Sequence, residues 1–212
     1  MSFWINSNES LNKLCDRLEN EKLIALDTEF IRTDTFYPKL ALIQLSDGHE
    51  CWLIDVLRIG VYGPLRVLLE NPQRVVILHA CAEDVEVLEH ALAISLRNIF
   101  DTQIAAGIVN VGYSMGYARL LKQLVGIQLD KQQTRSNWMA RPLSTDQLRY
   151  ASDDVIYLHC IQAILSKKLD ELDRWSWLDG ETQAVVEVVR RRKDMEDYYR
   201  RIKGAHRLSG DS

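Results

Sequence analysis

The order of strand-like and helix-like patterns restricts this chain more than any other property. Three strand-like runs come first: KLIALDTEF (22–30), LALIQLS (40–46) and ECWLIDV (50–56). The last two are separated by Asp47, Gly48 and His49, a turn signal that makes them a hairpin. From there strands alternate with helices. A helix over about 62–70 leads to RVVILHA (74–80), a short apolar run expected of a buried strand, and AEDVEVLEHAL (82–92) then has helical periodicity. NIFDTQIAAGIV (98–109) reads as a short strand breaking into a helix with Asp101 near its cap. Further helices are predicted over 8–19, capped by Ser10 or Asn8, over 116–125, over 144–168, and from about 171 to 203. This order predicts an α/β domain built on a mixed sheet flanked by helices over residues 1–168, followed by a helical extension.

Composition sets the outer limits. A chain of 212 residues, 47% hydrophobic, is long enough for one sizeable core. No stretch approaches the roughly 18 apolar residues that span a bilayer, and the N-terminus lacks the basic-then-apolar layout of a signal peptide, so a cytoplasmic protein without a membrane partner is expected. The four cysteines have neither CxxC spacing nor a histidine at zinc spacing and read as reduced, packed thiols. No GxGxxG or GxxxxGK[ST] loop is present, so no nucleotide cofactor is expected. Net charge is −4, but residues 190–207 carry eight Lys or Arg against three acids, a local +5 that leaves −9 for the remainder. Such a tail could meet phosphate or form a solvated helical face.

The informative residues are acids. Asp27 and Glu29 stand two apart on an apolar strand and therefore point to one face. Two buried like charges repel and lose hydration, and a hard divalent cation such as Mg²⁺ or Mn²⁺ offsets both costs; the alternative places them at the strand end, in solvent or paired with Arg32. Asp84 falls in the first turn of the helix after a buried strand, where it could reach over the sheet edge or favour the helix dipole. Tyr150 shares a helical face with Asp154, and with Asp153 as well, so periodicity does not choose between the two aspartates.

These residues carry a resemblance to the ribonuclease D family, in the tyrosine-containing branch of the DEDD 3′-to-5′ exonucleases. Its D-x-E motif is matched by Asp27 and Glu29, its H-A-x-x-x-D by His79, Ala80 and Asp84, and its Y-x-x-x-D by Tyr150 and Asp154, a choice against Asp153. The flanks DTEFIRTDTFYPKLALIQLSDG, FDTQIAA and LDKQQTRSNWMARPLS are also similar to that family, in order, over about 1–165.

The resemblance implies a ribonuclease-H-like fold, two Mg²⁺ or Mn²⁺ ions, and hydrolysis of RNA 3′ ends, with tRNA precursors among the substrates. Asp27 is expected to bridge both ions, Glu29 and Asp154 to complete the water-activating site, and Asp84 to hold the second ion, through water. Tyr150 is expected to orient the attacking water, since an ordinary phenol, with a pKa of about 10, is a poor base at neutral pH. A DNA exonuclease and a silent nucleic-acid-binding module are the rival functions.

Phe30 and Tyr37 could stack on terminal bases or pack in the core, and His79 could touch substrate or serve structure. Asp55 and Asp101 read as turn or cap residues. Trp138, Arg141 and Pro142 could line the RNA entry or anchor a loop. The resemblance also implies that residues 169–212 lead toward a helical HRDC domain that is absent or truncated.

Overall fold

The computed structural model describes residues 2–32, 37–129 and 136–191. Six strands form one sheet in the order β1-β4-β3-β2-β5-β6: β1 (Ser2–Ile5), β2 (Leu23–Ile31), β3 (Lys39–Ser46), β4 (Cys51–Ile54), β5 (Val75–Leu78) and β6 (Ile99–Asp101). β3 pairs antiparallel with both β2 and β4, and the remaining pairs are parallel, so β3 alone runs against the other five. The predicted β3–β4 hairpin is present. Asp47 Oδ1 accepts from the amides of His49 (2.8 Å) and Glu50 (2.7 Å), and Gly48 turns at φ +88°, where a Cβ would also press on the His159 ring.

The helices fall into two layers. α1 (Asn8–Arg17), α2 (Gly63–Leu69) and α3 (Ala82–Ala91) bury Leu11, Leu14, Leu65, Leu69, Val85 and Leu88 against Ile24, Leu26, Ile43 and Leu78 on one face of the sheet. On the other face, α4 (Thr102–Ile108), α5 (Tyr117–Val125), α6 (Thr145–Ile156) and α7 (Leu158–Leu172) cover Ala25, Leu42, Leu53 and Ile77. α8 (Trp175–Arg191) sends Leu178 into the second cluster and Val186 and Val189 into the first, so it runs past the β6 edge and shields it. No helix among the described residues is long and apolar enough to cross a membrane.

Several expectations change in detail. The cap of α1 is Ser7, which forms a capping box with Ser10; Asn8 instead accepts from the amides of Gly60 and Val61. β1 is an additional strand. The helix expected over 144–168 is two helices meeting at Tyr157, and the next breaks off at Asp173, in the left-handed region at φ 52°. Among the four free cysteines Cys160 is exposed, so it is not a packed thiol. The basic tail lies outside the described residues beyond Arg191. Its first two arginines are engaged within the fold, Arg190 with buried Glu89 at 2.6 Å and Arg191 with Glu187 at 2.9 Å.

Candidate active site

The acids gather at the end of the sheet where β2, β5 and β6 finish. Alternation along β2 puts Asp27 and Glu29 on the α6 face and Thr28 on the α3 face. α6 enters through a Ser144–Gln147 capping box that sets its first turn, and Asp154 comes down from it toward β2. One carboxylate oxygen from each of Asp27, Glu29 and Asp154 lies within 4.8 Å of the others. Asp153 is not in that group: its carboxylate pairs with Arg149 at 3.7 Å, and its backbone carbonyl accepts from the Tyr117 hydroxyl at 2.8 Å. The geometry therefore selects Asp154, the aspartate the resemblance also selects.

Asp84 approaches from the opposite layer. It is buried in the first turn of α3, and Thr28 Oγ1 donates to its Oδ1 at 2.5 Å. Arg32 does not neutralise the strand pair; it is bound to Glu86 at 2.6 Å.

Burial and mutual repulsion are written into the protonation of these groups. Burial first, then the charges of Asp84, Asp154 and Glu29, hold the Asp27 carboxyl well above the usual carboxylate range. Burial, with Asp154 and Asp84, pushes Glu29 to about 9. Asp84 and Asp154 are raised to about 7, burial again leading, while hydrogen bonds from Thr28 and Tyr150 respectively pull them back. An all-oxygen set of hard, crowded, desolvated carboxylates fits a hard divalent cation, which favours the ionised forms and offsets the repulsion.

Two tyrosines border the acids. Tyr150 bonds to Asp154, and burial together with that carboxylate keeps its hydroxyl protonated far above neutral pH. Its ring lies 6.0 Å from Trp138, which is fully buried, so Trp138 packs behind Tyr150. Tyr117 is likewise half-buried beside Asp154 and Asp27, with its ring edge-on to His79 at 5.6 Å. Sequence reasoning missed Tyr117, for which no local signal exists, and Thr28, whose position between two acids on the opposite face was readable from strand alternation.

The other predicted residues have definite places. Thr102 Oγ1 donates its single proton to the Leu78 carbonyl (2.9 Å), so its 2.9 Å contact with His79 Nδ1 is donated by the imidazole, which burial keeps from charging. Asp101 caps α4, accepting from Gln103 and Ile104, and also binds the amides of Ala80 and Cys81, tying the β5 end to the β6 end. Phe30 packs against the α1–α3 core, and Tyr37 stacks on His90 with ring centroids 3.7 Å apart.

Asp55 is more than a turn residue. It forms a bidentate pair with Arg141, Nε to Oδ2 at 2.9 Å and Nη2 to Oδ1 at 2.8 Å. The remaining Arg141 N–H groups go to the carbonyls of Trp138, Ala140 and Ala41, so all five donors are spent and Arg141 anchors the loop. Ala41 is the extra residue of a β-bulge: Glu29 pairs with Leu42 and Phe30 with Leu40, leaving Ala41 unmatched directly beside the acids.

A family model described as 3′-5′ exonuclease matches residues 2–170. The chain belongs to the 3′-5′ exonuclease family. Within that family it is similar to ribonuclease D of Pseudomonas paraeruginosa, 42% identical over 205 residues that cover 97% of this chain and 54% of that protein. The crystal structure of Escherichia coli RNase D superposes with a TM-score of 0.90 at 36% identity, covering 99% of this chain and 56% of that one. Brucella melitensis NrnC, at 26% identity and a TM-score of 0.76, covers 89% of this chain and 91% of its own. The family fold is thus the expected ribonuclease-H-like one, and this chain spans about half the length of the curated relatives it matches.

Proposed function

We propose that this chain is the catalytic portion of a metal-dependent 3′-to-5′ exoribonuclease that releases nucleoside monophosphates from RNA 3′ ends, with tRNA precursors and other small structured RNAs as substrates. The convergence of Asp27, Glu29 and Asp154 oxygens within 4.8 Å carries this reading. Two relatives support RNA as the polymer: E. coli RNase D is an exoribonuclease involved in structured RNA processing, and B. melitensis NrnC has been solved bound to pGG.

In this reading Asp27, Glu29, Asp154 and Asp84 would hold divalent cations, Mg²⁺ or Mn²⁺, two in number, with Asp27 shared, Glu29 and Asp154 serving one ion and Asp84 the other. Divalent cations held there would supply Lewis-acid activation of water and stabilisation of charge on the departing 3′ oxygen. Tyr150, protonated at neutral pH, orients the attacking water as a hydrogen-bonding group and takes no proton. Phe30, Tyr37 and His79 border the β2 and β5 ends from which the 3′-terminal nucleotides would be reached. Residues 1–168 form the catalytic domain in this reading, and 169–212 a helical extension.

The test is cleavage of 3′-labelled and 5′-labelled single-stranded RNA by the purified chain with Mg²⁺, Mn²⁺ or EDTA, beside a DNA oligonucleotide of matched sequence. Stepwise release from the 3′ end, stopped by EDTA and lost in Asp27→Ala, is expected. Preference for the DNA strand would make this a DNA exonuclease, and no hydrolysis with either metal would leave a binding module.

A further inference from the structure

Gln44 stands directly across from Asp27 in the antiparallel β2–β3 ladder, so the two side chains share the α6 face of the sheet. It is fully buried, and neither end of its amide has a hydrogen-bond partner among the described residues. Its register partner on the far side is Leu53, and the neighbour two residues back on the same face is Leu42, neither of which has a polar side chain. Ala151 and Val155 of α6 close over the same cluster. Two residues on, the Ser46 hydroxyl is bonded to the Gly48 amide. A side-chain amide enclosed on three sides by hydrocarbon is costly without a bond, and the acceptor that the ladder places beside it is the Asp27 carboxylate.

We propose that Gln44, whose amide is unbonded in this structure, is a positioning residue that donates an N–H to the Asp27 carboxylate when that carboxylate holds divalent cations, and so fixes the orientation in which it holds them. The inference rests on the metal-dependent reading given above. An ionised carboxylate accepts at several lone-pair sites, so one oxygen can face a cation while another takes the amide proton. Asp27 is the pivotal ligand in that reading, and a donor behind it removes the freedom of its terminal torsion.

The test is equilibrium Mn²⁺ binding in the absence of RNA, followed by the spectroscopic signal of free Mn²⁺, on wild type, Asp27→Ala, Gln44→Leu and Gln44→Met. Melting temperatures in EDTA are measured in parallel. The expected result is Mn²⁺ binding about 10-fold weaker in both Gln44 variants, with EDTA melting temperatures equal to or above wild type because an unbonded buried amide has been removed. In turnover, kcat should fall with KM for RNA little changed. Wild-type Mn²⁺ affinity in Gln44→Leu, or in Gln44→Met should the leucine variant fail to fold, overturns the positioning role while leaving the metal site intact. Failure of the wild-type chain itself to bind Mn²⁺ overturns the metal-dependent reading and this inference with it.

Discussion

Thr28 and Asp84, 56 positions apart in the sequence, are joined by a 2.5 Å hydrogen bond that links the strand of the first two acids to the helix of the third. Thr28 is buried and faces away from Asp27 and Glu29, so its hydroxyl positions Asp84 without competing for the strand pair. That bond pulls the Asp84 carboxyl down against the effect of burial. Thr28→Val, which keeps the shape and deletes the donor, should leave Asp84 above its value of about 7 and raise the Mg²⁺ concentration for half-maximal activity about 10-fold. Stability should fall by about 1–3 kcal/mol, the cost of a buried group without its partner. A Mg²⁺ titration of activity and a urea melt check both.

The crowded acids make stability of the metal-free protein depend on pH in an unusual direction. Glu29 at about 9 and Asp84 and Asp154 at about 7 bind protons more tightly folded than unfolded, where carboxyls titrate near 4. Between those limits the native state holds more protons, so stability falls as pH rises, reaching its full loss only above the folded values. In EDTA the melting temperature should drop from pH 5 to pH 9 by roughly 5 °C or more, corresponding to at least about 2 kcal/mol. Mn²⁺ should abolish most of the drop, and Glu29→Gln should flatten it without metal. A melting series across that range decides the matter.

The sequence revealed elements whose patterns are local and missed those that depend on distant partners. Strands β2 to β6 and helices α1 to α5 are legible because apolar runs, helical spacing and turn residues lie within each segment. β1 escaped notice because only Ile5 of its four residues is buried and its partner β4 begins about fifty positions later. The junction at Tyr157 contains no glycine or proline and keeps near-helical dihedrals, so nothing marked it. At the site, alternation placed Asp27 and Glu29 on one face, but helical spacing left Asp153 and Asp154 equivalent. In space they separate: Asp154 joins the strand pair, whereas the Asp153 carboxylate pairs with Arg149. The Asp55–Arg141 pair spans 86 positions and has no local trace.

Arg141 is a structural cation, and that is testable against the alternative that it greets RNA. Its five N–H groups are all committed inside the protein, two of them to Asp55, which is 2% exposed. Arg141→Ala strands that buried carboxylate and frees the bulge carbonyl of Ala41, at a cost of about 3–5 kcal/mol. Lysine, which lacks the planar fork, should recover little of this. The salt dependence of RNA binding by whatever protein remains folded should keep the wild-type slope, because no phosphate contact has been lost. A shallower slope in Arg141→Lys would place the guanidinium on RNA.

Tyr150 separates positioning from metal holding. In the proposed function Asp27, Glu29, Asp84 and Asp154 each contribute a carboxylate, so alanine at any of them should nearly abolish cleavage. Tyr150→Phe removes a hydroxyl that burial and Asp154 keep protonated, and so removes no base. Its loss should lower kcat about 10- to 100-fold, below the range of a true acid or base, while Mn²⁺ affinity stays near wild type. The hydroxyl also pulls Asp154 down from an otherwise higher value, so the variant's activity should rise to its plateau at a higher pH than wild type. A pH–rate profile with an unmoved acid limb would show that Tyr150 and Asp154 are not coupled in the working enzyme, and a plateau rate equal to wild type would remove Tyr150 from the reaction altogether.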